Sequence, residues 1–309
     1  MAKLLEVPLY ELITKKSGYL RYTILIFRTI FLLVKKKPTV IFVQNPSMAL
    51  ALIATIARKL MRYQLFVDAH NSAIDSLSSG NRIVKLVSAY LLRKPDHVIV
   101  TNASLARIVE EHGGSPIVAT DPIPNIPFDE ERNFRPENED YFLFICSWAN
   151  DEPFSEVIEA FSRLGETYKL LVTGNYKKVL KHQDAKDISA NIKLLGFVDE
   201  ETYLHYLLNC IASIDLTTRE NCLVCGAYES IAAKRPCLIS DTPANRETFK
   251  NGFVYTKNTN LLIENAVRHI ADNLPTLQRE ISIENLRHKA FSSTSKERIL
   301  TAVQRHKKG

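Results

Sequence analysis

Five cysteines in 309 residues is an odd number, and their spacing shows no disulfide framework. That argues for a reducing, cytoplasmic compartment. Cys222 and Cys225 form a C-x-x-C, but no second ligand pair lies near them in sequence. Small residues beside a ligand loop describe the pair better than a zinc or redox site. No signal peptide is evident. The apolar run from Leu20 to Val34 is broken by Arg21 and Arg28, too short and too charged for a membrane span. There is no nucleic-acid recognition motif and no basic stretch interleaved with aromatics, which argues against a nucleic-acid partner. A catalytic triad, a metal-ligand cluster and a short tandem repeat are not evident either, and no cofactor is expected.

What is present is ordinary for a globular protein: 46% hydrophobic residues and 24% charged. The length suits two domains. The net charge of +6 is uneven: residues 1–125 hold sixteen Lys/Arg against eight Asp/Glu, and the remainder holds 24 against 26. A basic first half expects an anionic partner, either a membrane surface or a phosphorylated substrate. Residues 19–37 carry Arg21, Arg28 and Lys35 at intervals of seven, one stripe on an otherwise apolar helix. Two readings fit: a helix packed on the first sheet with one cationic edge, or an interfacial helix on anionic lipid.

Short apolar runs alternate with amphipathic helical patterns. Strands are expected at 39–43, 64–68 and 97–101, with helices near 48–61, 82–93 and 102–112. The alternation pauses in a proline- and charge-rich stretch, 121–140, and then restarts. Strands are expected at 141–146, 168–173, 192–195, 212–216, 236–240 and 253–255. The helices between and after them fall near 153–164, 200–208, 224–233, 261–272 and 281–290. This is the pattern of βαβ units and parallel sheets. The fold class expected is α/β with two doubly wound, Rossmann-like domains. Their bounds would be 1–125 for the first domain, 126–140 for a linker, 141–280 for the second domain, and 281–309 for a closing helix that packs back towards the first.

Ligands of open α/β sheets bind at the carboxyl ends of strands. That rule selects Gln44-Asn45-Pro46, Asp68-Ala69-His70-Asn71, Thr173-Gly174-Asn175 and the loop 217–226. The last is the most informative. A strand ends, a loop follows, and a helix starts near Leu223, whose free N–H groups suit a diphosphate. Glu229 lies within that helix, in reach of ribose hydroxyls, and Gly226 would let a ligand approach closely.

The run GAYESIAAKRPCLIS resembles the donor-site helix of the large retaining glycosyltransferase family of GT-B fold, with Glu229, Ala232, Ala233, Pro236 and Ser240 on matching positions. Residues 96–102 (DHVIVTN), the 172–175 turn and the 195–198 loop resemble other pieces of that family in the same order, so the likeness spans residues 39–270. The resemblance implies a nucleoside-diphosphate sugar donor, a glycan or lipid-linked acceptor, retention of configuration and no essential metal. It implies that Glu229 binds ribose, that Glu220, Asn221, Cys222, Leu223 and Val224 face sugar and diphosphate, that Gly174 and Asn175 line the donor site, and that Gly196 and Phe197 flank the base. His70 would sit near the transferred sugar, with Gln44, Asn45 and Asn71 on the acceptor side.

The sequence departs from that family in three places. The family pairs two glutamates eight positions apart; here Glu220 and Glu229 are nine apart, and Asn221 stands eight back. The usual Arg and Lys after the first strand of the second domain are replaced by CSWANDEP, which holds two acids and no base. Arg219 is then the first candidate to grip the diphosphate, ahead of Lys177 and Lys178. Finally, the usual opening βαβ unit is missing. Its only stand-in is residues 4–9, an edge strand at best because of Pro8. Two alternatives to a transferase stand beside the main reading: a sugar-nucleotide epimerase of the same fold, and a non-catalytic nucleotide-binding subunit. A partner polypeptide that completes the first domain is a further candidate.

Overall fold

The computed structural model describes residues 2–45, 47–69, 71–126, 140–180 and 188–306. His70 and Pro46 lie outside the described residues, as does most of the proline- and charge-rich stretch, 127–139. The chain divides into two compact units: Met1–Asp121 with Phe291–Gly309, and Pro122–Ala290.

The first unit opens with α1 (Ala2–Leu5) and α2 (Gly18–Lys36), followed by β1 (Val40–Gln44), α3 (Met48–Met61) and β2 (Gln64–Asp68). Next come α4 (Asn71–Asp75), α5 (Arg82–Arg93), β3 (His97–Val100), α6 (Ala103–Glu111) and β4 (Pro116–Val118). The four strands are parallel in the order β1-β2-β3-β4. Period-two alternation splits them between two apolar layers. Val43, Leu65 and Val67 pack with Ala51, Ala54 and Ala57 of α3 and Leu33 of α2. On the other layer Phe66 and Ile99 pack with Leu5 and with Ile299 from the last helix of the chain. Residues 4–9 form no strand. Leu5 ends α1 and inserts into the core while Val7 and Leu9 are exposed, because Pro8 offers no N–H to a ladder. β4 was not foreseen; its proline stands at the strand's first position, where the missing donor costs least.

In the second unit β5 (Tyr141–Phe144), α7 (Phe154–Leu164), β6 (Lys169–Thr173) and β7 (Ile192–Gly196) come first. α8 (Glu200–Asn209), β8 (Ala212–Asp215), α9 (Cys225–Ala233), β9 (Cys237–Ser240), α10 (Pro243–Thr248) and β10 (Phe253–Thr256) follow. The sheet is parallel, in the order β10-β9-β8-β5-β6-β7. β5 and β8 are buried at every position, as central strands covered on both faces require. Phe142, Phe144 and Ile214 pack towards α7 and towards Ile263, Val267 and Ile270 near the end of the chain; Tyr141 and Leu143 pack with Leu207 and Leu208 of α8.

The chain ends in α11 (Asn260–His306), a single helix of 47 residues where two separate helices were expected. Pro275 and the polar run around it look like a break in the sequence, yet the helix continues through them. A proline removes one N–H and crowds one turn, a local cost that packing on both sides can outweigh. Part of that packing is Glu284, fully buried, which accepts from the backbone N–H groups of Lys250 and Asn251 at 3.1 and 3.2 Å. Burial works to raise its pKa, but hydrogen bonds from His288 and Arg287 outweigh that and hold it at about 2. Among the described residues, no helix is long and apolar enough to cross a membrane.

Candidate donor site of the second unit

The strand order of the second unit reverses between β5 and β8, because β6 and β7 lie to one side of β5 while β9 and β10 lie beyond β8. The loops that leave these two strands therefore part at their carboxyl ends and open a crevice. The loop after β5 is organised around Glu152. Its carboxylate accepts from the N–H groups of Ser147 at 2.9 Å and Ala149 at 3.0 Å, and from the Ser147 hydroxyl at 2.8 Å. The Cys146 thiol donates to it at 3.2 Å, and burial together with that carboxylate pushes the thiol's pKa up. Glu152, one of the two acids of CSWANDEP, is thus engaged in holding its own loop.

The loop is also tied to β6. The Trp148 indole N–H donates to the Thr173 carbonyl at 2.9 Å, with the ring only 4% exposed. Gly174, at φ +84°, passes so close that a Cβ there would meet the Cys146 carbonyl oxygen at 2.0 Å. Asp151 joins the two switch-point loops. Its carboxylate accepts from the Thr217 hydroxyl at 3.0 Å, and its carbonyl from the Thr218 N–H at 2.7 Å. Thr217 is fixed in turn by Ser240, whose hydroxyl accepts its N–H at 2.9 Å, and by Asn258, which donates to its carbonyl at 2.9 Å.

Asp215 ends β8 and is 7% exposed. Its carboxyl accepts the N–H of Gly226 at 2.8 Å, in the first turn of α9, which begins at Cys225 rather than near Leu223. Gly226 was read from the sequence as clearance for a ligand, and the structure gives it a further task. A Cβ there would lie 2.5 Å from the Asp215 carboxylate, so the missing side chain makes room for that acid. Burial, with Glu152, Glu229 and Asp151 adding negative charge, pushes the Asp215 pKa well above its ordinary value despite the Gly226 hydrogen bond. The folded state then holds a proton that the unfolded chain releases. Stability from this group is full below the ordinary carboxylate range and is lost as pH rises through the folded value. Asp215→Asn keeps an acceptor for Gly226 and removes the charge. Its melting temperature should exceed that of wild type at pH 8 and converge with it near pH 4. The gain should be on the order of 1–3 kcal/mol, the scale of a poorly compensated buried polar group. Parallel pH profiles of the two proteins check it.

Glu229 lies half-buried on α9 and receives the phenol of Tyr203 from α8 in a short hydrogen bond. Burial and that carboxylate together raise the Tyr203 pKa, so the phenol remains a donor. One carboxylate oxygen is thereby fixed, and the side chain is held in place. Tyr203 was missed from the sequence: it lies 26 positions from Glu229 on another helix, and only their packing pairs them. Asp215 was missed as well, although a lone acid in the apolar run CIASIDL marks it.

The other candidates fall in the strand-end loops of the same unit. Gly196, at φ +74°, ends β7 and Phe197 is 88% exposed beside it. Asn175 is exposed after Gly174. Glu220 is exposed; Arg219, Asn221, Cys222 and Leu223 are half-buried, and Val224 is buried at the foot of α9. Cys222 and Cys225 form no disulfide, and no cluster able to hold a metal occurs among the described residues. In the first unit Gln44 is exposed at the end of β1, and Asn45 beside it is 2% exposed. The side-chain oxygens of Asn45 and Asn71 are buried with no hydrogen-bond partner among the described residues.

No curated protein sequence matches the chain. Its fold does match solved structures. The HepE protein of Anabaena, solved with UDP and glucose, superposes with a TM-score of 0.75 at 13% identity, over 98% of this chain and 88% of that one. Sucrose-phosphate synthase from Thermosynechococcus elongatus gives 0.73 at 13% identity, over 95% and 80%. An alpha,alpha-trehalose-phosphate synthase (UDP-forming) from Burkholderia vietnamiensis gives 0.71 at 9%, over 97% and 80%. These likenesses establish two parallel-sheet units of GT-B type. Residues 4–125 match the glycosyl transferase 4-like domain, and residues 125–290, more than half of the chain, match glycosyl transferases group 1. Taken with the strand-order reversal at β5 and β8 and the loops gathered there, those matches make the chain a member of the group 1 glycosyl transferase family.

Proposed function

We propose that this protein moves a sugar from a nucleoside-diphosphate donor, bound at the β5/β8 crevice of the second unit, to a glycan or lipid-linked acceptor, with retention of configuration and without a metal. The observation that carries the reading is Glu229, a carboxylate held by Tyr203 on the helix that follows the switch-point loop. An oriented carboxylate is suited to the paired hydroxyls of a ribose. Gly196 and Phe197 would flank the base, with Gly174 and Asn175 beside the diphosphate. Glu220, Asn221, Cys222, Leu223 and Val224 would face the diphosphate and the sugar. The chemistry asked of the protein is positioning and charge stabilisation, with leaving diphosphate oxygens assisting the incoming hydroxyl on the same face. On the acceptor side, the side-chain oxygens of Asn45 and Asn71, buried and without a partner among the described residues, are the supporting observation, since such groups ordinarily have one. Gln44 and His70 complete that set by their sequence positions.

A donor diphosphate needs a cation. With Glu152 committed to its own loop, Arg219 is the residue we assign. The test is a thermal-shift panel of uridine, guanosine and adenosine diphosphates, their parent nucleosides, and the matching sugar nucleotides with candidate acceptors. One diphosphate at one hundred times its Kd should stabilise by about 2.7 kcal/mol. Arg219→Ala should weaken diphosphate binding by about tenfold or more, the scale of a charge-assisted hydrogen bond, and leave the nucleoside unchanged. Equal losses for both ligands would remove Arg219 from the phosphates. A binding nucleotide with neither transfer nor epimerisation would favour the non-catalytic subunit, the reading supported by the lack of a base in the β5 loop.

A further inference from the structure

The outer face of α2 is apolar where water would call for polar side chains. At 100° per residue, Thr29 and Leu33 share one face and are each 8% exposed. Half a turn away, Phe27 and Phe31 are 70% and 67% exposed, with Leu20 and Val34 at 54% each on the same stripe. A helix between a core and water shows one apolar stripe; this one shows two. The outer stripe also has company. The segment before the helix runs alongside it, fastened by Arg28, whose Nη1 donates to the Ile13 carbonyl at 2.8 Å, and by Lys36, whose ammonium lies 5.5 Å from the Tyr10 ring. Leu9 and Ile13 on that segment are 69% and 75% exposed. Scattered exposed apolar residues are normal, but a contiguous patch marks an interaction surface.

Charge decides what the surface meets. Between Glu11 and Asp68 the chain has ten Lys and Arg and no Asp or Glu. Arg21, Arg28 and Lys35 run down one flank of α2, and Lys36 and Lys37 follow at its carboxyl end. A second copy of this chain would bring the same positive charge against itself. An anionic bilayer offers an acyl phase for the aromatic rings and phosphates for the bases. We infer that α2 and the segment before it dock the protein in the plane of an anionic membrane surface. Phe27 and Phe31 enter the acyl boundary, and Arg21 and Lys35 engage lipid phosphates. Every residue involved belongs to the first unit, so the docking does not depend on the donor-site reading.

The test is sedimentation of the full chain with vesicles of phosphatidylglycerol and phosphatidylcholine in equal parts, or of phosphatidylcholine alone, without nucleotide. The protein should pellet with the anionic vesicles, and its partition coefficient should fall by about tenfold or more in high salt or on phosphatidylcholine. Phe27→Ser/Phe31→Ser should lose a similar factor with an unchanged circular dichroism melt, because both rings already face outward. Arg21→Gln/Lys35→Gln should lower both the binding and its salt sensitivity. No pelleting at low salt, or equal binding to the two vesicle types, would overturn the inference. So would a wild-type dimer in the ultracentrifuge that Phe27→Ser/Phe31→Ser dissociates while leaving vesicle binding unchanged; the face would then belong to a second copy.

Discussion

Glu229→Ala should abolish the thermal shift that a nucleoside diphosphate produces at concentrations saturating for wild type. A carboxylate hydrogen bond to a ligand hydroxyl is worth about 1.5–3 kcal/mol, and each 1.4 kcal/mol is about tenfold in Kd. If both ribose hydroxyls are held, a loss of about one hundredfold or more follows. The alanine also strips the Tyr203 phenol of its acceptor in a half-buried place, so the unliganded variant should melt somewhat lower. Two companions separate these effects. Glu229→Gln keeps an acceptor for Tyr203 but loses the charge, so binding should suffer more than the unliganded melt. Tyr203→Phe keeps the charge but frees the carboxylate, so it should cost less affinity than Glu229→Ala. A full nucleotide shift in Glu229→Ala would sink the donor-site assignment and leave the fold untouched.

The second large effect is structural. Gly174→Ala should destabilise the second unit by about 3–5 kcal/mol, with a lower melting temperature and poor soluble yield. Two penalties add. A left-handed backbone at φ +84° costs a non-glycine residue roughly 1–2 kcal/mol. The new methyl would also stand 2.0 Å from the Cys146 carbonyl oxygen and 3.0 Å from the Trp148 ring, and neither is the loose end of a flexible side chain. Relief requires the β5 loop to move away from β6, which breaks the bonds of Cys146 and Trp148 to Thr173. Gly165→Ala is the matched control: it also has positive φ, at +63°, but nothing lies within 4 Å of its would-be Cβ. It should pay the backbone cost alone. Similar melts for the two variants would show that close approach at Gly174 is unimportant.

Much of this fold is legible in the sequence because its strands are short and its turns polar. The runs around Phe66, Val98, Phe142 and Ile214 are buried on both sides, and such runs stand out against the helices between them. α9 was legible by its likeness to known donor helices, within two residues of its actual start. Three other features were not. Neither β4 nor the unbroken course of the last helix was foreseen, and a local rule cannot see that Pro116 begins an edge strand and Pro275 rides inside a packed helix. The acids of the β5 loop read as a deficit of positive charge. Only the folded loop reveals that Glu152 is enclosed by N–H groups three to five residues back and that Asp151 reaches a threonine 66 residues away. Gly226 read as clearance for a ligand, and its room for Asp215 stayed hidden because that acid lies on a different element.

The long terminal helix affects the order in which the protein can be made. Its last turns supply Ile299, Ala302 and Val303 to the layer that covers Phe66 and Ile99, strands synthesised long before. The backbone carbonyl of Ala302 receives the Gln64 side chain at 3.0 Å, and Lys296 pairs with Glu6 at 2.7 Å. A ribosome releases the amino end first, and domains ordinarily fold as they emerge. Here that face of the first sheet lacks part of its cover until the whole second unit has been translated. A stop codon shortly before Phe291 would therefore harm the half of the protein farthest from it in sequence.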